Sequence, residues 1–361
     1  MSAEEILLNL PTHAAVQDRP DPRRYLLNPK EIGQAPTPFD WERGYDVEAE
    51  IGKKLGKPFK FHVKDQGPSA SCGGQSTAYH MAALAALHDG DTAERSAKFI
   101  YSQVYYPYGG GSTLYDLGNL VTKQGAGTEA DTTSYDQGKA PSEAFMQRPQ
   151  DITEGARTKA KLDKALSYAA VALDIDSLAA ALPVSGGIRI GIHGTNNGTW
   201  LSDQPKPPKV GEKTWAHFVY IGKAFIENGV KKIAALNSWG EDAGDKGWQK
   251  LDASYIASGA LWGAQALVYN PNPATGVHYT FNADLEYGQT ATEINMLQRA
   301  LQQDGSFPAG IVPTQYYGEI TRQAVLKFQQ KYKVAPTAEL AQVNGRRVGA
   351  KTRAKLNELF A

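Results

Sequence analysis

A chain of 361 residues, 41% of them hydrophobic and 21% charged, can bury a sizeable core and is too long for one small domain. Its 38 Lys and Arg balance 38 Asp and Glu, so the formal charge is zero and nothing points to nucleic acid as a partner. A single cysteine excludes an intramolecular disulfide and a cysteine-built metal site, and no apolar run approaches transmembrane length.

In chain order, residues 1–36 are rich in Pro, Asp and Arg (Asp18 to Arg24 above all) and read as an extended arm. The start, Met-Ser-Ala-Glu-Glu, is acidic and has only a short apolar patch after it, unlike a secretory leader. Phe39-Asp-Trp41 follows. The next segment, Asp65-Gln66-Gly67 through Ser71-Cys72, places the sole cysteine just before a run of helical character, Thr77–Leu87. A thiol in the first turn of a helix feels the positive end of the helix dipole, which favours thiolate. Gln66 supplies a side-chain amide of the kind that stabilises an oxyanion. Taken alone, Cys72 reads first as a buried structural thiol.

Beyond it, Ser96–Tyr101 precedes a glycine-rich stretch, Gly109-Gly110-Gly111, and Leu114, Leu117, Leu120 and Val121 recur at helical spacing. Those glycines suit either a flexible turn or backbone that a substrate strand approaches closely. Asp136 to Asp174 is polar, then predicted helical at Ala160–Leu166, and looks like an insertion. From Gly187 the pattern turns to strands: Ile188–Ile192, Phe218–Ile221, Lys232–Leu236 and Leu261–Tyr269. Two histidines in this half, His193 and His217, compete as a base for the thiol. His217 lies 145 residues after Cys72, and only it has an Asn-Ser-Trp segment, Asn237-Ser238-Trp239, at suitable spacing. His62, His80 and His88 have no metal-like spacing with carboxylates, so no metal and no cofactor is expected.

The three separated segments, Gln66…Cys72, His217 and Asn237-Ser238-Trp239, together resemble the papain-like cysteine peptidases. The resemblance covers about residues 36–270, and Phe39-Asp-Trp41, Ser96–Tyr101, Gly109–Asp116 and Leu178–Ile192 add weaker matches. It implies an α+β, two-lobed peptidase with a helical lobe and an antiparallel β lobe. It implies Cys72 as nucleophile, His217 as base, Asn237 as the group orienting that base and Gln66 as an oxyanion donor. It also implies Gly110, Gly111, Ala216 and Trp239 as substrate-binding positions, the indole doubling as a shield for the Asn237–His217 hydrogen bond. Three positions depart from the pattern. Ser69 stands where a disulfide cysteine is usual, Gly73 where an aromatic residue follows the nucleophile, and Ala216 where an acidic residue often precedes the histidine. None removes a group the reaction requires. The arm is shorter than the usual inhibitory propeptide, which implies another form of control.

Asn270-Pro-Asn-Pro-Ala-Thr-Gly276 reads as a domain boundary. The segments are therefore an arm over 1–36, a peptidase domain over 37–272, a linker over 273–285 and a helical domain over 286–361. The last resembles the peptidoglycan-binding domain. Gly318/Thr321 and Gly349/Thr352 each open a helix with an apolar face, Ala324, Val325 and Phe328 in one and Leu356 and Leu359 in the other, and a three-helix module is expected. From residue 286 on, ten Lys and Arg face six Asp and Glu, a basic bias suited to an anionic wall polymer.

These readings converge on a cysteine endopeptidase held at a bacterial cell wall, with polypeptide and peptidoglycan as partners and no nucleic acid or membrane. Two alternatives use the same residues: a lysin that cuts peptidoglycan peptides, and an inactive wall-binding protein on the same scaffold.

Overall fold

The computed structural model describes Ala15 and residues 38–360 except 109, 213, 270–278, 309, 310, 312 and 315. The rest of the arm, Gly109 and the first part of the linker lie outside the described residues. The chain divides into two compact units, with the described residues before 270 in one and those after it in the other.

In the first unit, β1 (Tyr45–Asp46) runs into α1 (Val47–Leu55), whose first amides are capped by the Asp46 carboxylate. Next come α2 (Cys72–Asp89), α3 (Ala97–Tyr101), α4 (Leu114–Lys123), α5 (Glu143–Met146) and α6 (Glu154–Ala160). Every residue of α2 from Cys72 to Met81 is buried, so it is the axis of the helical half rather than a surface helix. A seven-stranded antiparallel sheet is built from β1, β2 (Ala165–Ala170), β3 (Ile188–Gly194), β4 (Trp215–Glu227), β5 (Val230–Leu236), β6 (Trp248–Asp252) and β7 (Leu261–Tyr269). Its order is β2-β7-β3-β4-β5-β6, with β1 also paired to β4. Two further helices belong to this half: α7 (Ile175–Ser185), which precedes β3, and α8 (Ala253–Ala257), which joins β6 to β7.

The segment 136–174 is not a detachable insertion. It supplies α5, α6 and the edge strand β2. The helix predicted at Ala160–Leu166 stops at Ala160, because Asp163 is pinned elsewhere. The carbonyl of Asp163 accepts the Ala126 N–H at 3.0 Å, and its carboxylate takes the Arg95 guanidinium. The chain then pairs along β7, Ala170 opposite Gln265. Ala-Leu-Ser-Tyr-Ala-Ala has little strand propensity of its own, and the register with β7 overrides it.

One apolar cluster fills the sheet side, around Ile190, Val219, Ile233 and Leu251. A second gathers α2, α3 and α4 with strand residues Phe218 and Leu267, and Cys72 sits in it. The thiol is thus placed where the helical half meets β4.

The second unit holds β8 (Leu285–Glu286), α9 (Thr292–Gln303), α10 (Glu319–Lys331), a short α11 (Thr337–Val343), β9 (Arg347–Val348) and α12 (Ala350–Phe360). It has its own core, including Leu297, Val325, Phe328 and Leu356. Leu359 was expected on the apolar face but is 40% exposed, and Phe360, one step around the helix, is buried instead. No helix among the described residues is long and apolar enough to cross a membrane.

Candidate active site

Cys72 opens α2 and is fully buried. Its expected thiolate character is not what this environment favours. Burial pushes the thiol up to about 12, even though the backbone amides of Phe218 and Gly73 act to lower it. The dipole effect is smaller than the cost of placing an anion in an apolar pocket. The Phe218 amide follows His217 directly in β4, so the backbone next to His217 reaches the sulfur.

His217 is fully buried, and its Nε2 lies 2.8 Å from Asn237 Oδ1. A chain of hydrogen bonds fixes the roles. The Trp200 carbonyl accepts from Gln249 Nε2, and Gln249 Oε1 accepts from Asn237 Nδ2 at 2.8 Å. Asn237 Oδ1 also accepts the Ser238 N–H at 2.7 Å and is therefore the acceptor toward His217. Nε2 consequently carries the proton, and Nδ1 is left as a buried lone pair without a partner among the described residues. Burial holds His217 down to about 4, with the Asn237 bond opposing it. Indoles enclose this pair: Trp239 lies 4.7 Å from the imidazole and Trp215 5.9 Å, with Trp200 packed on both. Trp239 is 1% exposed, the placement of a shield over the His217–Asn237 bond. The His193 ring lies 6.2 Å from that of Trp262.

Gln66 is equally fixed. Its N–H donates to Ser238 O at 2.8 Å, and its Oε1 accepts from Ser238 Oγ at 2.7 Å. Its Nε2 donates to Ser69 O at 2.8 Å, which uses one of two hydrogens. Ser69, at the position of the missing disulfide cysteine, closes the same loop by donating to Gln66 O at 2.6 Å. Gly73 leaves no gap: a Cβ there would lie 2.2 Å from Ser112 Oγ and 2.9 Å from Leu117 Cδ1. A side chain at that position would have to displace those of Ser112 and Leu117.

Gly110 and Gly111 adopt left-handed φ of +72° and +83°, and Gly110 packs against Ala70 in the loop before Cys72. Two residues that the sequence reading did not single out hold them there. The Glu143 carboxylate accepts the Ala70 N–H and the Tyr101 hydroxyl, each at 2.6 Å, and the same hydroxyl accepts the Gly111 N–H at 2.8 Å. Across the cleft, Ala216 O accepts the N–H of Ala15 at 3.3 Å, while Ala15 forms a parallel bridge with Ser112. One residue of the arm thus lies between the glycine-rich segment and the residue before His217.

Gln249, Trp200, Glu143 and Tyr101 were missed by the sequence reading. Gln249 stands between Trp248 and Lys250, in a segment not read as a strand, so nothing local marks it. No group of three or more metal-type ligands occurs among the described residues.

No curated protein sequence matches the chain. Residues 290–340 match the family described as "Putative peptidoglycan binding domain". Among solved structures, xylellain, a cysteine protease from Xylella fastidiosa, superposes with a TM-score of 0.55 at 21% identity, over 71% of this chain and 95% of that one. Digestive procathepsin L 3 of Tenebrio molitor larval midgut gives 0.52 at 18% identity, over 74% and 79%. Procathepsin B S9 from Trypanosoma congolense gives 0.52 at 10%, over 71% and 86%. The first unit has the papain-like cysteine protease fold, and a peptidoglycan-binding domain follows it.

Proposed function

We propose that the protein is a cysteine endopeptidase of papain-like mechanism, directed to bacterial cell wall by its C-terminal domain. The observation that carries this reading is the partnerless Nδ1 of His217, on a ring held by Asn237 and next in the chain to the amide that touches Cys72. The Sγ proton moves to Nδ1, giving a thiolate and an imidazolium that each supply the partner charge the other lacks. The thiolate attacks an amide carbonyl carbon and the C=O pair moves onto oxygen. That oxyanion is met by the free hydrogen of Gln66 Nε2 and the N–H of Cys72. Collapse breaks the C–N bond, and the leaving amine takes the proton from Nδ1. Water then attacks the thioester, passing a proton to Nδ1, and the sulfur recovers it as the C–S bond breaks.

The match at 290–340 supports the wall as the place of action and keeps a second reading open, in which the scissile bond belongs to the peptidoglycan peptide. Wild type and Cys72→Ala are compared on a denatured protein and on purified sacculi, with new amino termini read by mass spectrometry. Cys72-dependent cuts in the protein support the endopeptidase. Cuts in the sacculi alone replace it with the lysin, and no Cys72-dependent product from either overturns both.

A further inference from the structure

The Gly-x-x-Thr repeat of the second unit has an offset of 31 residues, and the offset extends to the hydrogen bonds. Gln298 on α9 donates through Nε2 to Thr321 Oγ1 at 2.7 Å and to Tyr316 O at 2.9 Å. Gln329 on α10, 31 residues on, donates to Thr352 Oγ1 at 3.0 Å and to Arg347 O at 2.9 Å. The copies part at the other amide atom. Gln298 Oε1 accepts the backbone N–H of Thr314. Gln329 Oε1 is buried and has no donor among the described residues. Turning the amide over does not cure this, because a carbonyl oxygen would then face the Arg347 carbonyl. A buried acceptor left unpaired in one copy and satisfied in the other marks a place for a donor from outside the chain.

Gln329 and Thr352 line a cavity of about 330 Å³. That volume suits one sugar ring or a short peptide. Its apolar lining comes from Val334, Leu340 and Val343, with half-buried Ala335 beside them. The charged lining residues are paired off, Arg347 with Asp284 and Lys351 with Glu339, so no single sign dominates. What Gln329 Oε1 lacks is an N–H donor, and apolar side chains line the same cavity.

We propose that this cavity binds a secondary amide carrying a methyl-sized substituent, its N–H donated to Gln329 Oε1 and its methyl against Val334, Leu340 and Val343. Two sources offer that chemistry in a wall: the acetamido group of an N-acetylated sugar and the alanyl amide of a stem peptide. The inference rests on the reading of the domain as a wall binder and assigns its site.

The test uses the full-length chain with Cys72→Ala, so that sacculi stay intact, with and without Ala335→Trp, which fills the cavity from a half-buried position. Folding is checked by thermal unfolding. Binding is measured to sacculi, to an N-acetylglucosamine trisaccharide and to an alanine-containing stem peptide. The expected result is sacculus binding that falls at least tenfold in Ala335→Trp with the unfolding temperature unchanged. Saturation by the trisaccharide identifies the glycan as source, and saturation by the peptide identifies the stem. Equal sacculus binding by both chains overturns the cavity assignment while leaving the wall reading intact. Absence of sacculus binding by the parent chain overturns the wall reading, and failure of both soluble probes then overturns the cavity as well.

Discussion

On the proposed mechanism Gln66 and Asn237 serve the same thiol in different ways, so their substitutions should differ in size. Gln66→Ala deletes one of the two proposed oxyanion donors and is expected to lower kcat by about 10²–10³ while the chain stays folded, measured on a peptide substrate beside a thermal unfolding curve. A near-wild-type rate would remove Gln66 from the mechanism. Asn237→Ala is expected to lose less than Cys72→Ala, because orientation is only partly lost while the nucleophile has no substitute. Gln249→Ala should follow Asn237→Ala in direction, since its amide is what fixes Asn237. Buried histidines also govern acid stability. The His80 Nε2 lies 2.8 Å from Ser185 O, and burial together with the Arg189 charge lowers the ring to about 3, while burial lowers His217 to about 4. Below pH 6.5 the unfolded chain takes up protons that the folded chain refuses. Stability is therefore full above 6.5 and falls through the window down to about 3, by about 1.4 kcal/mol per pH unit for each ring while it resists. His80→Gln keeps a donor for Ser185 O and does not titrate. Urea unfolding between pH 7 and 4 should show a shallower loss in the variant, and parallel losses would exclude His80 as a source.

At the scale of elements, the cleft is braced from one side and occupied from the other. Glu143 on α5 joins the loop before Cys72, through Ala70, to the glycine-rich segment, through Tyr101 and Gly111. Glu143→Ala is expected to raise KM several-fold with a smaller change in kcat. Glu143→Gln, which keeps one acceptor oxygen, should fall between; a kcat loss without a KM change would place Glu143 in the chemistry instead. Ala15 donates its N–H to Ala216 O inside that cleft. Proline has no N–H, so Ala15→Pro should loosen this contact and let water reach the thiol. With Cys72 held up to about 12 by burial, iodoacetamide should label the wild-type chain slowly at pH 8 and the variant faster. Equal rates would mean that Ala15 does not govern access. These elements also show what was legible beforehand. Gln66, Cys72, His217 and Asn237 were singled out by three short motifs taken together, and the structure brings His217 and Asn237 into hydrogen-bond contact. Glu143, Tyr101 and Gln249 were not, because their roles arise from contacts between residues far apart in sequence. The same holds for β2, a helix-like sequence made a strand by β7, and for Cys72, whose place at a helix start favours a thiolate that its burial opposes.

At the scale of the whole molecule, the two units have separate apolar cores, one set around Ile190 and Phe218 and the other around Leu297 and Phe328. Cutting the chain at residue 270 therefore removes the second unit without opening the core of the first. If the C-terminal domain acts only as an address, the shortened chain keeps the chemistry and loses the location. Its kcat/KM on a small soluble peptide is expected to stay within about twofold of the full-length value. On a protein substrate bound to sacculi the outcome should differ, because wall binding converts the encounter into a local one with an effective concentration near the millimolar range. The shortened chain should then need at least tenfold more enzyme for the same cleavage. That gap should shrink as salt rises, to the extent that the basic bias after residue 286 contributes to capture. A shortened chain equally slow on both substrates would show that the second unit supports the fold or the cleft. One equally fast on both would show that it plays no part in reaching the substrate.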